Sequence, residues 1–215
     1  ESGIPCIFLD ITFGKLQESY SILGRFLRCE RRAEMLANYI NDAQSKAIAT
    51  MNLDGVKPRV FYGPRVAGKK VTEGVMMQVD VMTRLGLDPV YQPYDLERRT
   101  VDFDKLSDEN PDFVLLDDTS FPSTLYSGKG EAYELWNTVR AVNDGRFAVA
   151  PALMHSILGS AIFAQSIGML WIAFVVHPSR FRYDMAAEMS KFYQLFYGLN
   201  REIASMERLL GLTMD

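Results

Sequence analysis

Gly63-Pro64-Arg65-Val66-Ala67-Gly68-Lys69-Lys70 carries the sharpest chemical pattern in the chain. It fits G-x-x-x-x-G-K, the loop whose backbone N–H groups cradle phosphates while a following Ser or Thr holds Mg²⁺. Lys70 stands where that hydroxyl belongs, Pro64 removes one N–H from the cradle, and Thr72 comes two positions late. Further on, Phe113-Val114-Leu115-Leu116 runs into Asp117-Asp118, as an apolar strand delivering a metal-binding carboxylate would. The two segments make a P-loop-like nucleotide-binding ATPase the alternative reading, weakened by the missing magnesium ligand.

Other chemistry is sparser. The chain has two histidines, which excludes a His-rich metal centre. His155 follows a strand and is placed to offer a cleft a polar or axial contact. His177 sits at a helix C-terminus, where it caps the helix and complements the dipole. Cys6 falls inside an apolar strand, where a thiol is inert, and its spacing from Cys29 suits neither a disulfide framework nor a zinc site. No G-x-S-x-G elbow occurs. The pairs Asp117-Asp118 and Asp108-Glu109 point to opposite sides or to solvent, so they share no proton. No catalytic residue, resident metal or cofactor is expected, and the chain does not read as an enzyme.

The elements that must carry these residues follow from periodicity. Ile4 to Leu9 reads as a buried strand ending at Asp10, and Phe13, Leu16, Tyr20, Leu23 and Leu27 recur at helical spacing. A second helix runs from about Glu30 to Asn52, with Ala33, Leu36, Ile40, Ala43 and Ala47 as its apolar stripe. At 1.5 Å per residue it is roughly 30 Å long, enough to cross between two lobes. The pattern then restarts: a strand over Arg59–Tyr62, a helix over Val71–Leu85 stopped by Gly86, and a helical turn over Asp102–Ser107. Next come a strand over Pro111–Leu116, a helix over Glu131–Val142 and a strand over Arg146–Val149. An apolar helix over Ser160–Val176 ends at His177-Pro178, and helices over Met185–Tyr197 and Arg201–Leu210 close the chain. Strands separated by helices predict an α/β fold with a parallel sheet.

Composition bounds the function. The 215 residues are 48% apolar and 23% charged, one large domain or two small ones. A net charge of -4 and a pI near 5.3 argue against a nucleic-acid partner. Phe147 to Ser179 contains no Asp, Glu, Lys or Arg, and Ile157–Val176 is long enough for a membrane span. Ser160, Gln165, Ser166 and Gly168 interrupt it, so it reads as a buried central helix. The start at Glu1, without Met or a signal peptide, is expected of a processed or excised piece.

Several strings together resemble one family. Gly3-Ile4-Pro5 through Asp10, then Leu23-Gly24-Arg25 and Glu30-Arg31-Arg32-Ala33-Glu34-Met35-Leu36, resemble a passage of the substrate-binding proteins of iron-siderophore, haem and cobalamin ABC importers. Asn110-Pro111-Asp112-Phe113-Val114 is similar to that family's "NPDVI" strand. Trp136, Ala141-Val142-Asn143-Asp144-Gly145-Arg146 and Pro151 resemble its "W…AV-x-x-GR…P" passage. Leu170-Trp171-Ile172-Ala173 to His177-Pro178, with Phe192-Tyr193 and Phe196-Tyr197-Gly198, resemble its C-terminal ending. The order and spacing hold over nearly the whole chain. Ser156-Ile157-Leu158 departs from the family's prolines after the final strand, which puts a standard pocket shape in doubt.

The resemblance implies two Rossmann-like lobes joined by one helix, with a metal chelate held between them and no covalent chemistry. Residues 1–54 would be the end of the N-terminal lobe and the inter-lobe helix, and residues 55–215 the C-terminal Rossmann-like lobe with its parallel sheet flanked by helices. It also implies an ABC permease as partner. Glu131 and Glu134 lie near the position from which the family docks on permease arginines. The location would be the periplasm or the outer face of the cytoplasmic membrane, with or without a lipid anchor. Apolar surface bared on the first two helices would make the chain prone to dimerise.

In open parallel sheets ligands meet the loops beyond the strand carboxyl ends. Those loops here are Tyr62–Lys70, Asp117–Tyr126 and Ala152–Gly159. Arg65, Lys69 and Lys70 offer positive charge to an anionic ferric chelate. Tyr62, Phe121 and Tyr126 are placed to stack on a macrocycle, and His155 to make a polar or axial contact.

Overall fold

Strands β1 (Arg59–Gly63), β4 (Asp88–Pro89), β6 (Phe113–Leu116) and β7 (Phe147–Val149) form one sheet in the order β4-β1-β6-β7, every pair parallel. The computed structural model describes residues 6–10, 12–52, 55, 57–63, 65–67, 70–72, 76–90, 100–117, 128–151 and 163–210. The central strands β1 and β6 are apolar without alternation because both faces of the sheet are covered. Val60, Tyr62 and Leu115 join a core with helices α2 (Glu30–Met51), α3 (Met76–Arg84), α7 (Ala164–Val176) and α8 (Met185–Tyr197). Phe61, Val114 and Leu116 point the other way, into a second core. That core is completed by α4 (Phe103–Glu109), α5 (Glu131–Trp136) and α6 (Arg140–Asn143), with Phe103 edge-on to Trp136 at 4.8 Å.

Helix α1 (Leu16–Leu27), led in by a 3₁₀ turn at Phe13–Lys15, folds back on α2 through a corner at Arg28 and Cys29. Arg28 takes the left-handed conformation at φ 54°, and Cys29 N–H closes the helix on Gly24 O. A Cβ on Gly24 would stand 2.5 Å from the Ala33 Cβ, so only glycine lets the two helices approach this closely. Of the expected α2 stripe, Ala33, Ile40, Ala43 and Ala47 are buried and Leu36 is half-buried, with Ala37 and Tyr39 buried beside them. α2 packs along α1 on one side and along α7 on the other. α7 is buried from Ala164 to Ala173 on every side, as its composition predicts. Among the described residues no helix is long and apolar enough to cross a membrane. Helix α9 (Ile203–Leu209) packs on α8.

The structure corrects three expectations and adds one strand. Residues 6–10 form no strand: Cys6, Ile7 and Phe8 are exposed, because an apolar run becomes a strand only where a neighbour pairs its backbone. Val71 and Thr72, expected in a helix, lie in a strand, and the described part of that helix is Met76–Arg84. Instead β2 (Arg65–Ala67) and β3 (Lys70–Thr72) pair antiparallel, and β3 pairs with β5 (Thr100–Asp102) in a small second sheet. Its facing pairs Val66↔Val71, Val71↔Val101 and Thr72↔Thr100 are β-branched, which favours pleated backbone over helix. The helix expected over Glu131–Val142 breaks into α5 and α6 at Val139, which is extended and fully buried. Thr138 bonds back to Leu135 O, and Asn143 reaches Asn137 O across the break. Finally, the two-residue edge strand β4 was not foreseen; Pro89 is tolerated there because an edge needs no second ladder.

Candidate functional site

The winding of the parallel sheet changes direction between β1 and β6. From β1 the chain passes to β4 on one side, and from β6 it passes to β7 on the other. A crevice opens at the carboxyl ends of two such neighbours, and it is where open parallel sheets hold their ligands. Tyr62 and Gly63 end β1 there, paired with Leu115 and Leu116 of β6. The Tyr62 hydroxyl donates to Asp117 Oδ2 at 3.3 Å, and Asp117 N–H donates to Gly63 O at 3.2 Å.

Placement of the expected residues is uneven. Tyr62 lies at the crevice but is buried, with its ring in the core beside Val60 and Leu115, so its hydroxyl rather than its ring face is what it can present. Arg65 opens β2, directly after β1. Lys69, Phe121, Tyr126 and His155 lie outside the described residues. Glu131 and Glu134 stand exposed in the first turn of α5, where acidic side chains suit the helix N-terminus. Sequence reasoning weighed Asp117 only as the metal-binding carboxylate of the phosphate-loop alternative and as the start of a ligand loop. Its signal was position, since it closes the strand that neighbours β1, and that adjacency is not visible in one dimension.

The phosphate-loop reading does not survive the backbone. A phosphate cradle needs its G-K to open a helix, whose N-terminal N–H groups then point at the anion. Here Ala67 faces Lys70 in an antiparallel ladder, so Lys70 opens a strand and not a helix. The opposite, amino-terminal ends of the strands are no better a ligand site. A shallow cavity of about 190 Å³ lies there, lined by Ile48, Met51, Lys57, Arg84 and Leu85. The C-terminal ends of α2 and α3 converge on it, so Lys57 and Arg84 answer helix dipoles. Arg84 is also bridged to Asp80 at 2.9 Å.

His177 ends α7 through its own N–H to Ala173 O. Its ring departs from the expected dipole partnership: burial, and then the nearby Arg180 charge, push its pKa below the ordinary value.

The fold defined by this sheet and its long flanking helix is that of the solute-binding proteins of ABC transporters. An ABC transporter solute-binding protein from Sulfurospirillum deleyianum superimposes with a TM-score of 0.75 at 19% identity, over 91% of this chain and 61% of its own. A periplasmic solute-binding protein from Veillonella parvula gives 0.73 at 21% identity, over 98% of this chain and 64% of its own. CeuE of Helicobacter pylori, solved with Ni(II) bound, gives 0.65 at 20% identity, over 94% and 64%. The chain thus spans under two thirds of the length of these structures. No protein-family model matches it, and no curated protein matches it in sequence.

Proposed function

We propose that this chain is the linking helix and C-terminal lobe of a substrate-binding receptor of an ABC importer. The receptor closes two lobes around an iron chelate or related metal complex, such as a siderophore, haem or cobalamin, and delivers it to the permease. The observation that carries this reading is the superposition of 91% of the chain, sheet and long helix together, on an ABC transporter solute-binding protein. Nickel bound to CeuE supports a metal-containing cargo. Residues 1–54 belong on this reading to the N-terminal lobe and linker, and residues 55–215 to the second lobe. On this reading Tyr62, Arg65, Lys69, Phe121, Tyr126 and His155 contact the cargo, while Glu131 and Glu134 meet the permease. Binding and release need no bond chemistry, so the receptor is not an enzyme. It works outside the cytoplasmic membrane.

The test is a thermal-shift screen of the protein carrying both lobes against ferric siderophores, haem, cobalamin, molybdate and Mg-ATP. A ligand at ~100 times its Kd adds about 2.7 kcal/mol of stability, an easily read shift. A shift with a metal complex is expected. A shift with Mg-ATP alone would overturn the receptor reading.

A further inference from the structure

The corner between α1 and α2 concentrates charge opposite in sign to that of the whole chain. The sequence carries a net charge of -4, yet Arg25 to Arg32 holds four arginines against one acid, Glu30. Every residue of that stretch is exposed, and Phe26 and Leu27 within it are more than half exposed. Among the described residues none of the four guanidiniums bridges a carboxylate, whereas Arg59, Arg84, Arg140 and Arg146 each do. Of the four side chains Arg32 alone is held, by its bond to Leu195 O, a neutral acceptor that leaves its charge unanswered. Glu34, one turn further along α2, is the next exposed acid.

Local structure explains only one of these cations. Arg25 lies in the last turn of α1, where a positive charge suits the helix dipole. Arg28 occupies the left-handed position that closes α1, where glycine is the relaxed choice. Arg31 and Arg32 fall in the first turn of α2, where the dipole disfavours cations, and Cys29 supplies no side-chain cap there. An apolar pair ringed by guanidiniums suits a bilayer interface, with rings and alkyl groups at the acyl boundary and arginines at lipid phosphates. A second copy would cover Phe26 and Leu27 in water but bring four more guanidiniums of its own; an anionic bilayer answers both parts. We propose that the α1–α2 corner docks on an anionic phospholipid membrane, with Phe26 and Leu27 entering the interface and Arg25, Arg28, Arg31 and Arg32 meeting headgroup phosphates. The inference goes beyond the receptor reading and depends on no cargo.

The test is vesicle flotation of the 215-residue chain. One set of vesicles mixes phosphatidylglycerol and phosphatidylcholine in equal parts, and the other is phosphatidylcholine alone. Wild type should float with the anionic vesicles and stay behind with the neutral ones. Raising salt from about 0.1 M to about 1 M should weaken the binding, because the screening length shrinks. Arg25→Gln, Arg28→Gln and Arg31→Gln together should lower the bound fraction's partition coefficient at least tenfold. Phe26→Ser with Leu27→Ser should lower it several-fold, and Glu30→Gln should raise it. The comparison of the two vesicles needs no variant, so it decides the matter even where a variant fails to fold. Equal flotation with both vesicles, flotation with neither, or a triple arginine variant that floats as wild type does would overturn the inference. Each of those results leaves the receptor reading standing, since that reading is judged by cargo binding alone.

Discussion

His177 is a residue at which two electrostatic effects compete. The end of α7 favours a cationic ring, whereas burial and then the Arg180 charge disfavour it and lower its pKa. An unfolded His177 titrating near 6.5 therefore takes up a proton that the folded ring resists. Where the unfolded chain binds more protons, stability rises with pH. The contribution is thus neutral above the unfolded pKa and unfavourable below it. Melting temperature should fall between about pH 8 and about pH 5, and His177→Gln should narrow that fall. An unchanged fall in the variant would place the sensitivity elsewhere. Tyr62 shows the same principle, that context decides what a residue type does. As a type it offers a stacking face, but core packing leaves only its hydroxyl to act, through Asp117.

Among elements, the pairing of α2 with α8 decides whether the long helix moves with the sheet. Lys46 Nζ lies 2.7 Å from Asp42 on its own helix and 2.5 Å from Glu188 on α8, and stands over the Tyr183 ring at 5.2 Å. Burial opposes the lysine charge, but Asp42 and Glu188 outweigh it and its pKa is raised. Tyr39 donates to Glu188 O at 3.1 Å, and nearer the other end of α2 Arg32 bonds to Leu195 O. Tyr39 also packs against Phe192 and Phe196. Lys46→Met strands a Glu188 side chain that is only 12% exposed. The expected loss is about 2 kcal/mol in urea denaturation. Adding Glu188→Leu should recover most of it, since two apolar side chains leave no charge unpaired. A single variant as stable as wild type would show that apolar packing alone holds α2. A helix so fastened moves with α8.

At the scale of the molecule, apolar side chains lie bare where the first helices begin and turn. Phe8 is 94% exposed, Phe26 58% and Leu27 57%, with Met35 and Ile48 also open on α2. Scattered exposed apolar residues are ordinary, but several large ones on one pair of helices and the segment before them mark a surface suited to a partner. The 215-residue chain should therefore self-associate, sedimenting above its 24.4 kDa monomer mass. Phe26→Ser combined with Leu27→Ser should return it toward monomer. A chain monomeric at every concentration would contradict this, and would agree with Arg25, Arg28 and Arg31 keeping the corner solvated.

Local physics was enough for much of the chain. Helical periodicity located α1, α2 and α8 to within a residue or two, and apolar runs located β1, β6 and β7, because both signals come from neighbours along the sequence. Gly86, at φ +74°, stopped α3 as its type predicts. Tertiary structure decided what depended on partners distant in sequence. Residues 6–10 have strand composition and no strand to pair with, whereas Val66 and Val71 found one in each other and Val101 joined them, turning an apparent phosphate loop into a hairpin. The candidate site followed the same rule. Tyr62 and Asp117 are far apart in sequence, and only the parallel register of β1 on β6 brings hydroxyl and carboxylate together at the crevice.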